Sequence, residues 1–287
     1  MRYLAPRTAD DAVAALLAEK GPTRILAGGT DVLVQMRSGA VEPDLIVDIK
    51  RIPGLDRITR EDGGWRIGAA VPNAALGEDR DLRASWAGVV EAANLIGSTQ
   101  VQGRATMVGN LCNGSPAADS VPALVAAEAV ARIHGPDGTR DCPVAEIPAG
   151  PGKTTLKKGE IVTSLFLPAR PRRSGDAYLR FIPRTEMDIA VASAAVSVEL
   201  DAHGRIVRAR VALGAVAPTV LVAEEAAAIL TGTQGEDDVL ERMAEACRAI
   251  CRPIDDKRGT VEFRRSVAGT LAKRAARIAL QRAGGQS

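Results

Sequence analysis

Apolar residues recur at two different spacings along this chain, and the changeover divides it. Ala12, Leu16 and Leu17 repeat at helical spacing after Thr8, which can cap the helix, with Asp11 at the third helical position as in a capping box. Gly21-Pro22 ends that helix. The apolar run Arg24–Ala27 predicts a buried strand, Asp31 to about Ser38 a short helix, and Leu45–Asp48 a second strand. Ile52–Leu55 reads as a joint, and Arg57–Arg60 with Trp65–Ala69 as a hairpin around Glu61-Asp62-Gly63-Gly64. Val89, Ala92, Ala93 and Ile96 give Ser85–Ile96 a helical face. Ser120–Ala127 predicts a short helix with Pro122 near its start, where proline is tolerated. Ala129–His134 and Thr139–Cys142 form another hairpin pattern, and Ile161–Leu167 a strand. Residues 148–159 read as a mobile loop and 168–176 as a linker, both rich in proline and glycine.

Beyond the linker the period becomes two. Ala177–Ile182, Ala190–Glu199 and Arg205–Val216 read as strands, with turns at Pro183–Glu186 and Asp201–Gly204. Helical patterns follow at about Val220–Leu230, Asp237–Cys251 and Gly259–Arg282. Strands followed by helices predict an antiparallel sheet with helices on one face. The fold class is therefore α+β, with residues 1–173 as one domain (subdomains about 1–55 and 56–173) and 177–287 as a second.

Two glycine-bearing stretches stand out. Ile25-Leu26-Ala27-Gly28-Gly29-Thr30-Asp31-Val32 runs from strand through glycines to a helix start. Thr106-Met107-Val108-Gly109-Asn110 is followed by Ser115-Pro116 and Asp119. Glycine lets a ligand approach the main chain, and a helix N-terminus offers unpaired donors to a phosphate. Neither stretch is a Walker loop or a Gly-x-Gly-x-x-Gly turn. Gly150-Pro151-Gly152-Lys153-Thr154-Thr155 has some P-loop letters but lacks the first glycine and a preceding strand.

Composition narrows the function. Aromatics are 2% of the chain, so the core must be built from alanine, valine, leucine and isoleucine. A net charge of +2 gives no case for nucleic-acid binding. Apolar runs stop well short of the ~20 residues of a membrane span, and no signal-peptide core precedes the first helix, so a cytoplasmic protein is expected. Cys112, Cys142, Cys247 and Cys251 contain no Cys-x-x-Cys pair, and only His134 and His203 are available for a metal or a triad. Cys247 and Cys251, one helical turn apart, are expected as small buried hydrophobes. No catalytic residue and no metal site is therefore assigned.

In this order the pieces resemble the FAD-binding middle subunit of the molybdenum hydroxylases, the group of xanthine dehydrogenase and aerobic carbon monoxide dehydrogenase. The resemblance is carried by Ala27–Asp31, Pro43–Ile49, Thr106–Leu111, Ser115–Asp119, Asp188-Ile189-Ala190 and Glu262-Phe263-Arg264-Arg265, and it covers nearly the whole chain. It implies a two-subdomain, PCMH-type FAD-binding region closed by a three-stranded sheet with three helices. It implies that Ile25, Leu26, Ala27, Gly28, Gly29, Thr30, Asp31 and Val32 hold the FAD pyrophosphate. Thr106, Met107, Val108, Gly109 and Asn110 would approach the ribityl and phosphate region, with Ser115 beside them. Asp119 would bind the adenosine half or cap the helix after it. Leu95 or Ile96, and Ile161 or Val162, would wall the adenine. Arg180 falls where some relatives place a lysine near the flavin. Ile189 falls where a side chain rests against the isoalloxazine, tyrosine in some relatives.

Asp31 is awkward beside a pyrophosphate unless it caps the following helix, the role expected for it. Arg184 and Asp188, four apart in a turn, form either an ion pair that positions Ile189 or two solvated charges. The iron–sulfur insertion of the benzoyl-coenzyme A branch is missing. The implied function is electron transfer. A molybdenum–pterin centre on a large subunit and [2Fe-2S] clusters on a small subunit would feed FAD here, in a dimer of heterotrimers. A stand-alone flavin oxidoreductase and a scaffold that has lost FAD are the competing readings.

Overall fold

The computed structural model describes residues 1–185 and 187–285; Glu186, the end of the expected 183–186 turn, and residues 286 and 287 lie outside it. The chain begins with β1 (Arg2–Leu4), α1 (Ala9–Ala18), β2 (Thr23–Leu26), α2 (Val32–Arg37) and β3 (Leu45–Asp48). These strands form a parallel sheet in the order β1-β3-β2. β3 is buried along its whole length, as a central parallel strand covered on both faces must be. Thr8 caps α1 as expected, its hydroxyl accepting from Asp11 N at 3.1 Å. β1 was not anticipated, because its three residues are exposed and carry no apolar alternation; the hydroxyl of Tyr3 anchors it to Asp48 at 2.5 Å.

The second lobe holds β4 (Ile58–Glu61), β5 (Gly64–Gly68), α3 (Asn73–Glu78), α4 (Arg80–Ser85), α5 (Ala87–Asn94), α6 (Thr99–Gln102), α7 (Met107–Cys112), α8 (Ser120–Ala126), β6 (Val130–Gly135) and β7 (Gly138–Pro143). It closes with β8 (Pro148–Gly150), β9 (Lys153–Thr154) and β10 (Ile161–Leu167). β4-β5-β10-β6-β7 form one antiparallel sheet. α3, α4, α6 and α7 are too short to display a helical period, which is why the sequence did not announce them. The expected loop over 148–159 contains the β8–β9 hairpin.

The remainder is β11 (Ser174–Phe181), β12 (Ala192–Leu200), β13 (Ile206–Gly214), β14 (Leu221–Val222), α9 (Glu224–Leu230), α10 (Asp237–Ile250) and α11 (Val261–Gly284). The C-terminal sheet therefore has four strands rather than three. Leu221 and Val222, expected to open a helix, pair instead with Leu213 and Ala212. Cys247 and Cys251 are fully buried.

Strand alternation sorts this sheet between two cores. Ala194, Val196, Val211 and Leu213 point to the helices α9–α11, while Tyr178, Ala195 and Ala212 join the core of the preceding lobes. Helices were expected on one face only; the other face is covered by α5 and α8. Small residues permit both approaches. A methyl group at Gly175 would lie 1.9 Å from the carbonyl oxygen of Ala279 on α11, and one at Gly88 on α5 would lie 2.8 Å from Ala177 Cα.

Polar contacts fasten the layers. The carboxylate of Asp176 on β11 accepts from Val89 N at 3.2 Å, capping α5, whose own N-cap residue Trp86 makes no side-chain cap. Arg170 donates to the same carboxylate at 2.7 Å, and Arg282 on α11 reaches Glu91 on α5 at 3.0 Å. Asp119, just before α8, accepts from Tyr178 Oη at 2.9 Å and from Arg180 Nη1 at 2.5 Å.

Two substitutions test these joints. Asp119→Ala leaves a guanidinium whose side chain is 6% exposed without its counter-ion. That change is expected to cost roughly 3–5 kcal/mol in urea unfolding, and an apolar replacement of both Asp119 and Arg180 should recover much of it. Gly28→Val should destabilise by at least about 1–3 kcal/mol, because its Cβ would lie 2.0 Å from the carbonyl oxygen of Arg104 in the other lobe. An unchanged melting temperature would mean that the lobes separate freely there.

Candidate functional site

The two glycine stretches lie against each other. β2 stops at Leu26, and Gly28 then passes so close to Arg104 and Ala105 that any side chain would strike their backbone. Gly29 has φ +81°, and a Cβ there would also crowd Leu26 and Leu33. A left-handed residue at this point turns the chain into α2. Across the same seam, Gln35 Nε2 on α2 donates to Asn113 Oδ1 at 2.9 Å.

The seam is rich in unpaired backbone donors. Among the described residues, the N–H groups of Gly28, Gly29, Thr30, Asp31 and Val32 donate to no protein acceptor. The same holds for Thr106, Met107 and Val108 on the other lobe, although these residues are buried. Several of these are the first N–H groups of α2 and α7, which have no intrahelical partner and so stand as donors for an acceptor from outside the helix. Thr106–Asn110, expected as a loop, is the capped start of α7: Thr106 Oγ1 accepts from Gly109 N at 2.9 Å. Apart from that hydroxyl, a Cβ at Gly109 would meet open space. Asn110 faces inward instead, its Oδ1 accepting from Ser120 N at 3.1 Å and Ser120 Oγ at 2.7 Å.

Asp31 does not cap α2. It occupies the N-cap position with helical backbone angles and makes no side-chain cap. The residue is exposed, yet surrounding protein desolvates its carboxyl and raises its pKa. A cation that sequence reasoning passed over, Lys50, is bonded to the loop. Its Nζ donates to the carbonyl oxygen of Ala27 at 3.1 Å and pairs with Asp48 at 2.8 Å. Burial opposes ionisation of Asp48, but Lys50 and Tyr3 together hold its pKa below the ordinary value. The only sequence signal for Lys50 is its place two residues beyond a buried strand.

Other expected residues sort as follows. Leu95 is 37% exposed and Ile96 partly buried, so both keep apolar surface to offer. Ile161 and Val162 do not: at 0% and 3% exposure their side chains belong to the core, because β10 is the centre of its sheet. Ser115 Oγ accepts from Ala117 N at 3.2 Å within its own turn. Asp119 makes no helix cap; its carboxylate is turned to Tyr178 and Arg180. Burial raises its pKa, against the pull of Arg180 and Tyr178. Arg180 is thereby committed to an ion pair between layers.

Ile189 lies 54% exposed in the turn after β11. The alternative left open for Arg184 and Asp188 resolves as an ion pair, 3.2 Å long, and Arg258 reaches the same carboxylate at 3.2 Å. This turn connects to the seam through bonded neighbours: Asn110 holds Ser120, Asp119 holds Arg180, and Phe181 O accepts from Val191 N at 2.9 Å.

Two cavities, of about 300 and 510 Å³, lie elsewhere, where Trp86 and Arg170 meet the C-terminal sheet and where Arg83 and Arg170 meet Arg282. Four of their arginines, Arg170, Arg208, Arg210 and Arg282, already face carboxylates. Among the described residues no cluster of three His, Cys, Asp or Glu side chains could hold a metal. The seam thus offers backbone donors and two glycines, which suits an anionic group held by main chain rather than by lysines.

Comparison with known proteins agrees. The family described as FAD binding domain in molybdopterin dehydrogenase matches residues 1–170, and the CO dehydrogenase flavoprotein C-terminal domain matches 177–279. The chain is 33% identical to the xanthine dehydrogenase FAD-binding subunit of Escherichia coli O157:H7, covering 94% of this chain and 93% of that one. It is 32% identical to the carbon monoxide dehydrogenase medium chain of Hydrogenophaga pseudoflava, covering 98% and 97%. A solved structure of carbon monoxide dehydrogenase from Hydrogenophaga pseudoflava superposes with a TM-score of 0.94 at 33% identity, over 98% of both chains. The matches together span nearly the whole chain: it belongs to the family of FAD-binding subunits of the molybdopterin dehydrogenases.

Proposed function

We propose that this chain is the FAD-binding electron-transfer subunit of a molybdenum hydroxylase. It would receive electrons from [2Fe-2S] clusters on a small partner and pass them to an external acceptor. A large partner would carry the molybdenum–pterin centre, and the assembly would be a cytoplasmic dimer of heterotrimers. Residues 1–173 form the FAD-binding unit in this reading, with lobes at about 1–55 and 56–173, and 177–287 form the closing domain.

The observation that carries the reading is the run of unpaired amides on two segments held together by Gly28. The amides of Gly28–Val32 hold one side of the pyrophosphate, and those of Thr106–Val108 meet it from the other lobe. Asp31 stands on the same wall, with its ionised form disfavoured by desolvation. Lys50 holds the Ala27 carbonyl and so fixes the loop's direction. Leu95 and Ile96 supply apolar surface for the adenine, and Ile189 excludes water from one flavin face. FAD supplies the coupling between two-electron and one-electron chemistry; the protein binds it, orients it and sets its electronics.

Gly109→Val tests the cradle more cleanly than any change at Gly28. It displaces the Thr106 cap, worth about 1 kcal/mol, and otherwise points into open space. The variant should fold, with a small fall in melting temperature, and purify with most of its visible flavin absorption lost. Full flavin content would refute the placement. Ile189→Tyr should keep FAD and shift its reduction potential or its reactivity with oxygen. Loss of FAD from that variant would make the position structural. Co-purification with two further subunits separates this reading from a stand-alone oxidoreductase.

A further inference from the structure

Ile189 cannot be held in place by its own side chain, because half of that side chain is exposed. Its position must come from the main chain around it, and that main chain is tied to α11. Arg264, near the start of α11, is 3% exposed. Its Nη1 donates to Val191 O at 2.8 Å, its Nη2 to Asp256 Oδ1 at 2.6 Å and its Nε to Gly259 O at 3.4 Å. Burying a guanidinium is expensive unless its N–H groups are used. Here they are spent on the two segments that flank the Ile189 turn.

The second segment returns to the first. Asp256 Oδ1 also accepts from Arg258 N at 2.8 Å, and Arg258 Nε donates to Asp188 Oδ1 at 3.2 Å. That carboxylate oxygen accepts from Ile189 N at 2.8 Å. Asp188 is only 7% exposed in its side chain, whereas its other partner, Arg184, is 70% exposed. The arginine on the 252–260 segment and the next residue's amide therefore enclose the carboxylate, and Arg184 merely covers it. The result is a continuous set of bonds from a packed helix to the amide of Ile189.

We propose that Arg264 and Arg258 are positioning residues that fix the main chain at 188–191, so that Ile189 stands in one place against the flavin. The flavin contact rests on the FAD reading above; the bonding from α11 to Ile189 N does not. Because Arg264 is buried, its replacement could unfold the chain, so the test uses Arg258, whose side chain is 24% exposed. FAD-loaded Arg258→Ala, Arg258→Lys and Ile189→Tyr are compared with the parent by trypsin cleavage after Arg184 and by flavin reduction potential. Arg258→Ala should keep its FAD, be cut several-fold faster after Arg184 and show a displaced potential. Arg258→Lys should restore both toward the parent. Unchanged cleavage in Arg258→Ala overturns the proposal. Faster cleavage with an unchanged potential also overturns it, provided that Ile189→Tyr does move the potential. If neither variant moves it, the placement of Ile189 at the flavin is what fails.

Discussion

The structure depends on one close approach, the passage of Gly28 under the backbone of Arg104 and Ala105. With the spacing that glycine permits, the loop after β2 and the segment before α7 meet directly. A side chain of any size there would push the lobes apart. The glycine pair thus has a different division of labour from the one its motif suggests. Gly28 joins the lobes, Gly29 provides the left-handed turn, and their own N–H groups join those of Thr30–Val32 as unpaired donors. A cradle built from main-chain N–H groups needs no lysine or arginine at the phosphate, and its donors cost no side-chain ordering when a ligand arrives.

The same logic of close approach governs the rest of the molecule. With few aromatic residues, the chain cannot fill wide gaps, so its layers come near each other through alanine and glycine. On α11, Ala268, Ala272, Ala275, Ala276, Ala279 and Ala283 are all fully buried, and β11 meets that helix through Gly175. Close packing of small residues recovers in dispersion what large side chains would have gained by area. Charge is then used at the joints. Asp176 caps a helix of another layer, Asp119 pairs with Arg180, and Arg282 reaches Glu91. A carboxylate in such a place is expensive to bury and is repaid only when its partners stand in one geometry, so these contacts favour a single docking of the C-terminal sheet. That docking in turn places the Ile189 turn relative to the seam.

Much of this was legible before any coordinates. Elements with a clear period were read to within a few residues: the Thr8-capped α1, the buried β3, the hairpins, β10 and the two long C-terminal helices. The short helices α3, α4, α6 and α7 were not, because six residues or fewer barely display a period; α2, equally short, was read from its place after the glycine pair. β14 was read as helix, because its two residues precede a genuine helical pattern without a break, and only pairing with β13 makes them strand. The glycine stretches were found by their residue types. The caps open to Asp31 and Asp119 are not made, and Ile161 and Val162 are buried in their sheet, because each outcome depends on which neighbour the fold supplies. Asp31 looks like a cap from its place in the chain, and Asp119 likewise. The first makes no cap; the second is claimed by a tyrosine and an arginine about sixty residues away.

By itself, then, the sequence determined what is local: the period of each long element, the turns that need glycine, the α+β order and the family of FAD-binding subunits to which these motifs belong. Backbone sterics and hydrophobic spacing act over a few residues, so they can be read along the chain. The tertiary structure alone decided which donors are left unpaired, which carboxylates bind across layers, and how α11 reaches the amide of Ile189. Those outcomes join residues far apart in sequence, and an ion pair or a backbone contact at 3 Å leaves no periodic trace in the chain that makes it.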